Sequence, residues 1–130
     1  PTVSSSANMY MTSTGAIFKT SSKRAKKTNI RHDFTLEQAN ALVDLQPATW
    51  HDKAELERTD DAPLVPVRHF GMVAEELAQA GLSQLVEYDE YGNVMSISYD
   101  RLAIALIPAI RSLRERVGEL EYKLNKIKEN

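Results

Sequence analysis

Residues 106–127 have the sequence LIPAIRSLRERVGELEYKLNKI, the most regular apolar pattern in the chain. Apolar residues recur at spacings that alternate between four and three, as in a heptad repeat whose a and d positions form one helical seam. A helix packed only on its own domain more often shows a wider stripe. The pattern therefore predicts a long C-terminal helix that associates with copies of itself. We define the heptad seam as Ile110, Val117 and Leu124 at a positions, with Leu106, Leu113, Leu120 and Ile127 at d positions.

This helix is expected to begin at Asp100, a good N-cap residue, and to reach about Lys128. Pro108 is expected to kink it near its start, and Gly118 costs about 1 kcal/mol relative to Ala on the outer face. β-branched a positions with Leu at d favour two strands. Because Leu124 occupies one a position, the pattern leaves dimer and trimer both open.

A β-hairpin is predicted directly before the helix. Residues 85–88 and 94–99 flank a loop that contains Gly92. The second strand alternates, which predicts one mainly apolar, half-buried face made of Met95, Ile97 and Tyr99. Residues 74–80 predict a short helix that stops at Gly81.

A second helix is predicted in residues 34–47. Thr35 is a good N-cap, and Gln38 three residues later completes a capping box. Pro47 ends the helix because it lacks an N–H donor and restricts the residue before it. One apolar face is expected to consist of Leu36, Ala39, Leu42 and Val43, with Leu45 at its edge.

Two short strands are predicted at residues 48–51 and 67–73. The charged residues 52–61 between them are expected to form a surface loop or a frayed turn. Together the elements predict an α+β protein, in which a small body of strands, a hairpin and short helices precedes the long C-terminal helix.

The composition excludes several kinds of site. The 130 residues have a formal net charge of −2 and no cysteine, so disulfides, thiolate metal sites and cysteine nucleophiles are ruled out. The three histidines are widely spaced without an obvious carboxylate partner, so we expect no metal and no other cofactor. No apolar run is long enough to span a membrane. We also expect no nucleic-acid partner, since the one basic cluster is short and has no interleaved aromatic residue.

That basic cluster follows a Ser/Thr-rich leader, residues 1–20, whose pattern predicts short strands that end a longer upstream chain. The junction has the sequence Thr20-Ser21-Ser22-Lys23-Arg24-Ala25-Lys26-Lys27. A run of this kind is most simply a solvated basic linker. It also places hydroxyl nucleophiles before lysines whose cationic neighbours disfavour protonation, which is one way to generate a lysine base.

In combination, these features resemble the intramolecular chaperone auto-processing domain found at the C-terminus of phage tail spikes and tail fibres, which is related to the self-cleaving part of myelin regulatory factor proteins. The resemblance extends from Ser21 to about Leu124 and depends on the order of the motifs. The matching motifs are residues 21–26 followed by Asn29-Ile30, the helix end at residues 42–47 with Trp50, residues 69–76, the hairpin into residues 98–102, and the heptads.

The resemblance implies a homotrimer that forms a coiled coil, helps the upstream fibre or spike to fold, and then cuts itself off. It implies Ser21 as nucleophile, Lys26 as base, and the bond between Thr20 and Ser21 as the cleavage site. Two residues separate Lys26 from Asn29-Ile30, where the family usually has one, so a register of Ser22 with Lys27 stays open.

Domain boundaries follow from this assignment: the end of the upstream protein in residues 1–20, the chaperone body in residues 21–99, and the coiled-coil helix in residues 100–130. The expected location is the host cytoplasm during virion assembly, with the upstream part in the tail and this part released. The alternatives are a family member that no longer cleaves, an unrelated coiled-coil module, and a regulator released from a membrane.

Overall fold

The computed structural model describes residues 9–11, 17–19, 23–57 and 65–129. Contacts divide the chain into an N-terminal unit, residues 1–33, and a C-terminal unit, residues 34–130. In the N-terminal unit, β1 (Met9–Met11) pairs with β2 (Ile17–Lys19) in antiparallel register. A 3₁₀ helix at Arg24–Lys26 follows. The short strands expected in the leader are thus present.

The C-terminal unit begins with α1 (Leu36–Asp44), which has the predicted capping box. The Gln38 amide donates to Thr35 Oγ1 over 3.1 Å, and the Thr35 amide donates to Gln38 Oε1 over 3.1 Å. The helix stops three residues before Pro47. Its buried side is narrower than predicted, since Ala39 and Leu42 are buried whereas Leu36 and Val43 are exposed.

Strand β3 (Ala48–Trp50) pairs antiparallel with β4 (His69–Gly71), which is shorter than the predicted strand at 67–73. The prediction of a loop or frayed turn over residues 52–61 was wrong in part, because residues Lys53–Glu57 form α2. Asp52 Oδ1 accepts the Ala54 amide over 2.8 Å. This contact satisfies an N–H that would lack a partner at the start of the helix.

Helix α3 (Ala74–Gln79) ends as predicted, with Gly81 at a φ of 80°. The hairpin is confirmed: β5 (Val86–Tyr88) pairs antiparallel with β6 (Val94–Ile97). The prediction of a half-buried apolar face on the second strand was wrong. Ile97 is buried, but Met95 and Tyr99 are exposed.

The C-terminal helix is present in two segments, α4 (Leu102–Ala105) and α5 (Ile107–Lys128). Pro108 accounts for the interruption, because it has no N–H to donate to the preceding turn. Leu106 between the segments keeps right-handed helical backbone angles. Asp100 is not the N-cap that was predicted; it lies inside a 3₁₀ helix, Tyr99–Arg101, that leads into α4.

The core of the C-terminal unit lies where α3, α4 and the hairpin meet α1. Half-buried Leu102 and Leu106 pack against this core, and α5 packs on α1. The fold is therefore a mixture of helices and small antiparallel strand pairs with a long C-terminal helix, as predicted at that level. The buried core residues are Leu42, Leu77, Leu82, Leu85, Val86, Ile97 and Ala105.

Candidate functional site

The heptad seam is open along most of α5. From Ile110 to Ile127 its six members are between 51% and 70% exposed. Single exposed apolar residues are common on protein surfaces, but a contiguous apolar patch marks an interaction site. The six members form an apolar stripe with the 3.5-residue spacing that is typical of coiled coils.

The C-terminal unit uses a different side of this helix for its own packing. Ala105 and Ala109 are buried and Ser112 is half-buried. These residues lie roughly a quarter turn around the helix axis from the heptad seam. The small side chains allow α1 to approach closely, so the chain packs against this helix without burying the seam residues from Ile110 to Ile127.

Leu106 is the exception within the seam. It was predicted as the first d position, but it is half-buried and packs against the core of its own chain. The open part of the seam therefore begins at Ile110.

Beyond Ser112, every described residue of α5 is exposed, from Leu113 to Lys128. This half of the helix buries no side chain within its own chain. Isolated helices shorter than about 12–15 residues are marginal in water, and longer ones gain most of their stability from packing of an apolar face. The terminal half of α5 therefore lacks this kind of packing within its own chain.

Charged side chains flank the seam. Arg114 and Glu121 occupy e positions, and Arg116 and Lys123 occupy g positions; all four are exposed. Between parallel neighbours, g positions face e positions of the following heptad. In a parallel coiled coil, Arg116 would attract Glu121, whereas Lys123 would repel Lys128 at the next e position. The two contributions to the stability of such a coiled coil nearly cancel.

The basic junction is described only in part. Thr20, Ser21 and Ser22 lie outside the described residues, so both registers of the proposed Ser-Lys pair stay predictions. Lys26 is the last residue of the 3₁₀ helix, and its amide donates to the Lys23 carbonyl over 3.0 Å. The side chains of Lys26 and Lys27 are exposed. Of the pair Ser21 and Lys26, the structure therefore describes only Lys26, which is exposed at the end of a short basic 3₁₀ helix.

A shallow apolar groove of about 390 Å³ lies on the body, with Trp50, Met72, Met95 and Tyr99 among its lining residues. The Tyr99 hydroxyl accepts the Met72 amide over 3.1 Å. Gly71 packs so closely against Tyr99 that a Cβ at this position would clash with the hydroxyl. The groove's polar side chains are few and include Glu75 and Ser96, which do not form a catalytic arrangement.

Histidine contacts were missed by sequence reasoning. His69 Nε2 lies 3.3 Å from Glu55 Oε1, and the His69 ring stacks on Trp50 with ring centroids 6.2 Å apart. Glu55 reaches His69 only because α2 forms. His51 Nδ1 lies 3.0 Å from the Val67 carbonyl, and its Nε2 lies 3.1 Å from the Arg68 guanidinium. These contacts link β3 and β4 to each other, and they link β4 to α2 at the start of the segment that connects the two strands.

Across the described ranges, no group of three or more His, Cys, Asp or Glu side chains is arranged to hold a metal ion. Among the helices in the part of the chain that the structure covers, none is both long and apolar enough to cross a membrane. In comparisons with known proteins, no family model and no curated protein matches the chain.

Proposed function

We propose that the chain is a C-terminal intramolecular chaperone that trimerises through α5, aligns three copies of an upstream phage tail fibre or spike, and then cuts itself off between Thr20 and Ser21. The observation that carries the proposal is the open heptad seam on a helix whose other side already packs on the body. The similarity of the sequence motifs to the auto-processing family supports the trimeric state and the cleavage.

Assembly would proceed by burial of the seam. α5 has 22 residues and is therefore about 33 Å long, enough for three heptads to pack as knobs into holes. Burial stabilises both the contact between copies and the otherwise unsupported end of each helix. Such a trimer holds three upstream chains at one point, which lowers the entropic cost of bringing their strands together.

Cleavage would use the junction. The Ser21 hydroxyl attacks the carbonyl of Thr20, and the neutral amine of Lys26 accepts the hydroxyl proton. The bond between the Thr20 carbonyl carbon and the Ser21 nitrogen then breaks, the Lys26 ammonium returns a proton to the leaving amine, and an ester joins Thr20 to Ser21. Water hydrolyses this ester, which frees the Thr20 carboxylate and the Ser21 hydroxyl. Because the reacting groups belong to one chain, effective molarity replaces substrate binding.

A lysine base requires a neutral amine, and removal from water is one way to achieve it. Lys26 is exposed in the single chain. We therefore place its desolvation at the assembly step, so that cleavage follows trimer formation and reports completed folding.

Denaturing mass spectrometry of the expressed chain tests the cleavage. We expect two fragments, residues 1–20 and 21–130, and a single intact chain in Ser21→Ala and in Lys26→Ala. Ser22→Ala and Lys27→Ala are the matched controls and should still cleave. If only these two controls stay intact, the register is Ser22 with Lys27. A wild-type chain that stays intact while forming trimers would refute the cleavage.

The second candidate is a module that assembles through α5 but does not cleave itself. It is either a trimerisation module of the same family or a structural coiled coil of another family. The solvent exposure of Lys26 favours this candidate, because an exposed lysine is more often a solvated charge than a base. The open seam is consistent with both candidates. Denaturing mass spectrometry shows whether the chain cleaves, and the mass in solution shows how many copies assemble, so together they distinguish the candidates.

A further inference from the structure

Two histidines lie at the same end of the β3–β4 strand pair, and they have different kinds of hydrogen-bond partner. His51 directly follows β3, and His69 is the first residue of β4, where it pairs with Trp50. A neutral imidazole has one N–H donor and one acceptor nitrogen, whereas the charged ring has two donors and no acceptor. The partners of each ring therefore decide how the ring responds to a second proton.

The contacts of His51 require a neutral ring. Its Nδ1 lies 3.0 Å from the Val67 carbonyl oxygen, which can only accept, so Nδ1 carries the proton. The Arg68 guanidinium can only donate, and its Nη1 lies 3.1 Å from His51 Nε2, so Nε2 is the acceptor. Arg68 is itself held in place, because its Nε and Nη2 donate to Thr49 Oγ1 over 3.1 and 3.0 Å. A second proton on His51 would therefore place an N–H and a positive charge against the guanidinium.

The contacts of His69 suit either charge state. Its Nε2 lies 3.3 Å from Glu55 Oε1, so an N–H at Nε2 donates to the carboxylate in the neutral ring and in the charged ring. The ring also stacks on Trp50, and a cation over an indole ring is attracted to its face. A second proton on His69 therefore strengthens the contacts that the ring already makes.

Among the described residues, the further titratable groups around the strand pair form no hydrogen bond or ion pair with either imidazole. Those next to His51 in the chain or beside Trp50 in the groove are Asp52, Lys53, Glu75 and Tyr99. The response of the two rings to acid therefore depends on the charged groups that contact them, Arg68 and Glu55.

We infer that the β3–β4 pair exchanges one support for another in mild acid: His51 releases Arg68, while His69 binds Glu55 of α2 more tightly. A histidine side chain changes charge between about pH 5 and 8, so both events fall in one pH range. The strand pair consists of three residue pairs, and a two-stranded pair is marginally stable without other contacts. Loss of the Arg68 contact therefore loosens residues 67–69, where the chain enters β4.

Nitrogen NMR of the imidazole rings in the full chain tests the hydrogen-bond assignment without any substitution. At about pH 8 a histidine is mostly neutral, and we expect the proton of His51 on Nδ1 and that of His69 on Nε2. The exposed His32 gives the reference signal of a solvated ring. A neutral His51 with its proton on Nε2 would overturn the inference.

Amide hydrogen exchange measures the release of Arg68. His51→Gln keeps a donor and an acceptor at this position but cannot become charged, and His32→Gln is the matched control. Variants are compared at the same pH, so that intrinsic exchange rates cancel. At about pH 5, residues 67–69 of the wild type and of His32→Gln should exchange roughly threefold or more faster than those of His51→Gln, whereas at about pH 8 all three should agree. The same ratio at both pH values would overturn the inference.

Arg68→Met gives a second measurement, which decides the question even where His51→Gln does not fold. This variant removes the positive charge, so a second proton on His51 meets no guanidinium. Exchange at residues 67–69, relative to the amides of the β5–β6 hairpin, should then be the same in mild acid as at neutral pH. An acid effect as large as in the wild type would contradict the role of Arg68.

The His69 part is tested on α2 with Glu55→Gln. Glu57→Gln is the matched control, since Glu57 lies on the same helix and is exposed. At about pH 5, the amides of α2 should exchange roughly threefold or more slowly in the wild type and in Glu57→Gln than in Glu55→Gln. Equal exchange of α2 in the two variants would show that the charged His69 does not hold this helix.

Discussion

Replacement of Leu120 by Asp puts a carboxylate into a d position that the single chain does not use for its own packing. Leu120 is 64% exposed, and so is Tyr122, two residues later at an outward f position. Tyr122→Asp is therefore a matched control with the same helix, exposure and new charge but a different helical face. The pair isolates the role of the seam from the general effect of an added charge.

The magnitude follows from the exposed fraction. Full burial of a leucine side chain contributes about 1.5–3 kcal/mol, so covering the 64% that is exposed contributes about 1–2 kcal/mol per copy. Over a trimer this is about 3–6 kcal/mol, or roughly two to four orders of magnitude in the association constant. The cost of removing three carboxylates from water adds to this loss.

Sedimentation equilibrium over a wide concentration range, together with light scattering, measures the effect. We expect trimers for the wild type and for Tyr122→Asp, and monomers for Leu120→Asp. Far-ultraviolet circular dichroism should show lower helix content in the Leu120→Asp monomer, since residues 113–128 then lack a partner. Equal dissociation of the two variants, or a monomeric wild type, would refute the seam as the interface.

Four further outcomes are expected. Leu113→Asp should slow self-cleavage together with trimer loss; fragment formation at the full rate in the monomer, by mass spectrometry, would separate cleavage from assembly. Thr35→Ala removes the capping box and should lower the free energy of unfolding by about 1 kcal/mol in urea titrations, with Thr35→Ser close to wild type. Gly71→Ala should destabilise the chain more than this, because the added Cβ displaces Tyr99; an unchanged urea midpoint would show that the ring moves freely. Amide hydrogen bonds, first that from Asn93, hold the pKa of Asp89 below its ordinary value of 3.8. Their stabilising effect is therefore full above pH 3.8 and is lost as the pH falls through the lower pKa of the folded state. NMR shifts of the hairpin amides should change only below pH 3.8, and a midpoint near 3.8 would contradict the prediction.

Elements with a local physical cause could be predicted from the sequence. The capping box at Thr35 and Gln38 fixes the start of α1, and Gly81 with its positive φ fixes the end of α3. The hairpin follows from alternating residues around a Gly-containing turn. These features depend on side chains within a few residues of one another, so a sequence window contains the whole cause.

Features that depend on distant segments could not be predicted. α2 forms in a charged stretch without a clear apolar period, and only then does Glu55 meet His69. Met95 and Tyr99 have the alternation of a half-buried face, yet the rest of the body leaves them exposed. The Ser-Lys pair stays a prediction in both of its registers, because Thr20, Ser21 and Ser22 lie outside the described residues.

The heptad seam shows most clearly what the sequence determines and what only the tertiary structure determines. The sequence alone determined that an apolar stripe of 3.5-residue period exists, since periodicity is a property of spacing. The sequence alone does not determine which members of the stripe pack against the core of the same chain. Only the tertiary structure decided that Leu106 packs on the core whereas Ile110 to Ile127 stay open, because burial depends on where α1 and the hairpin lie against the helix. That division, set by packing, leaves an apolar stripe on α5 that the chain does not bury in its own core.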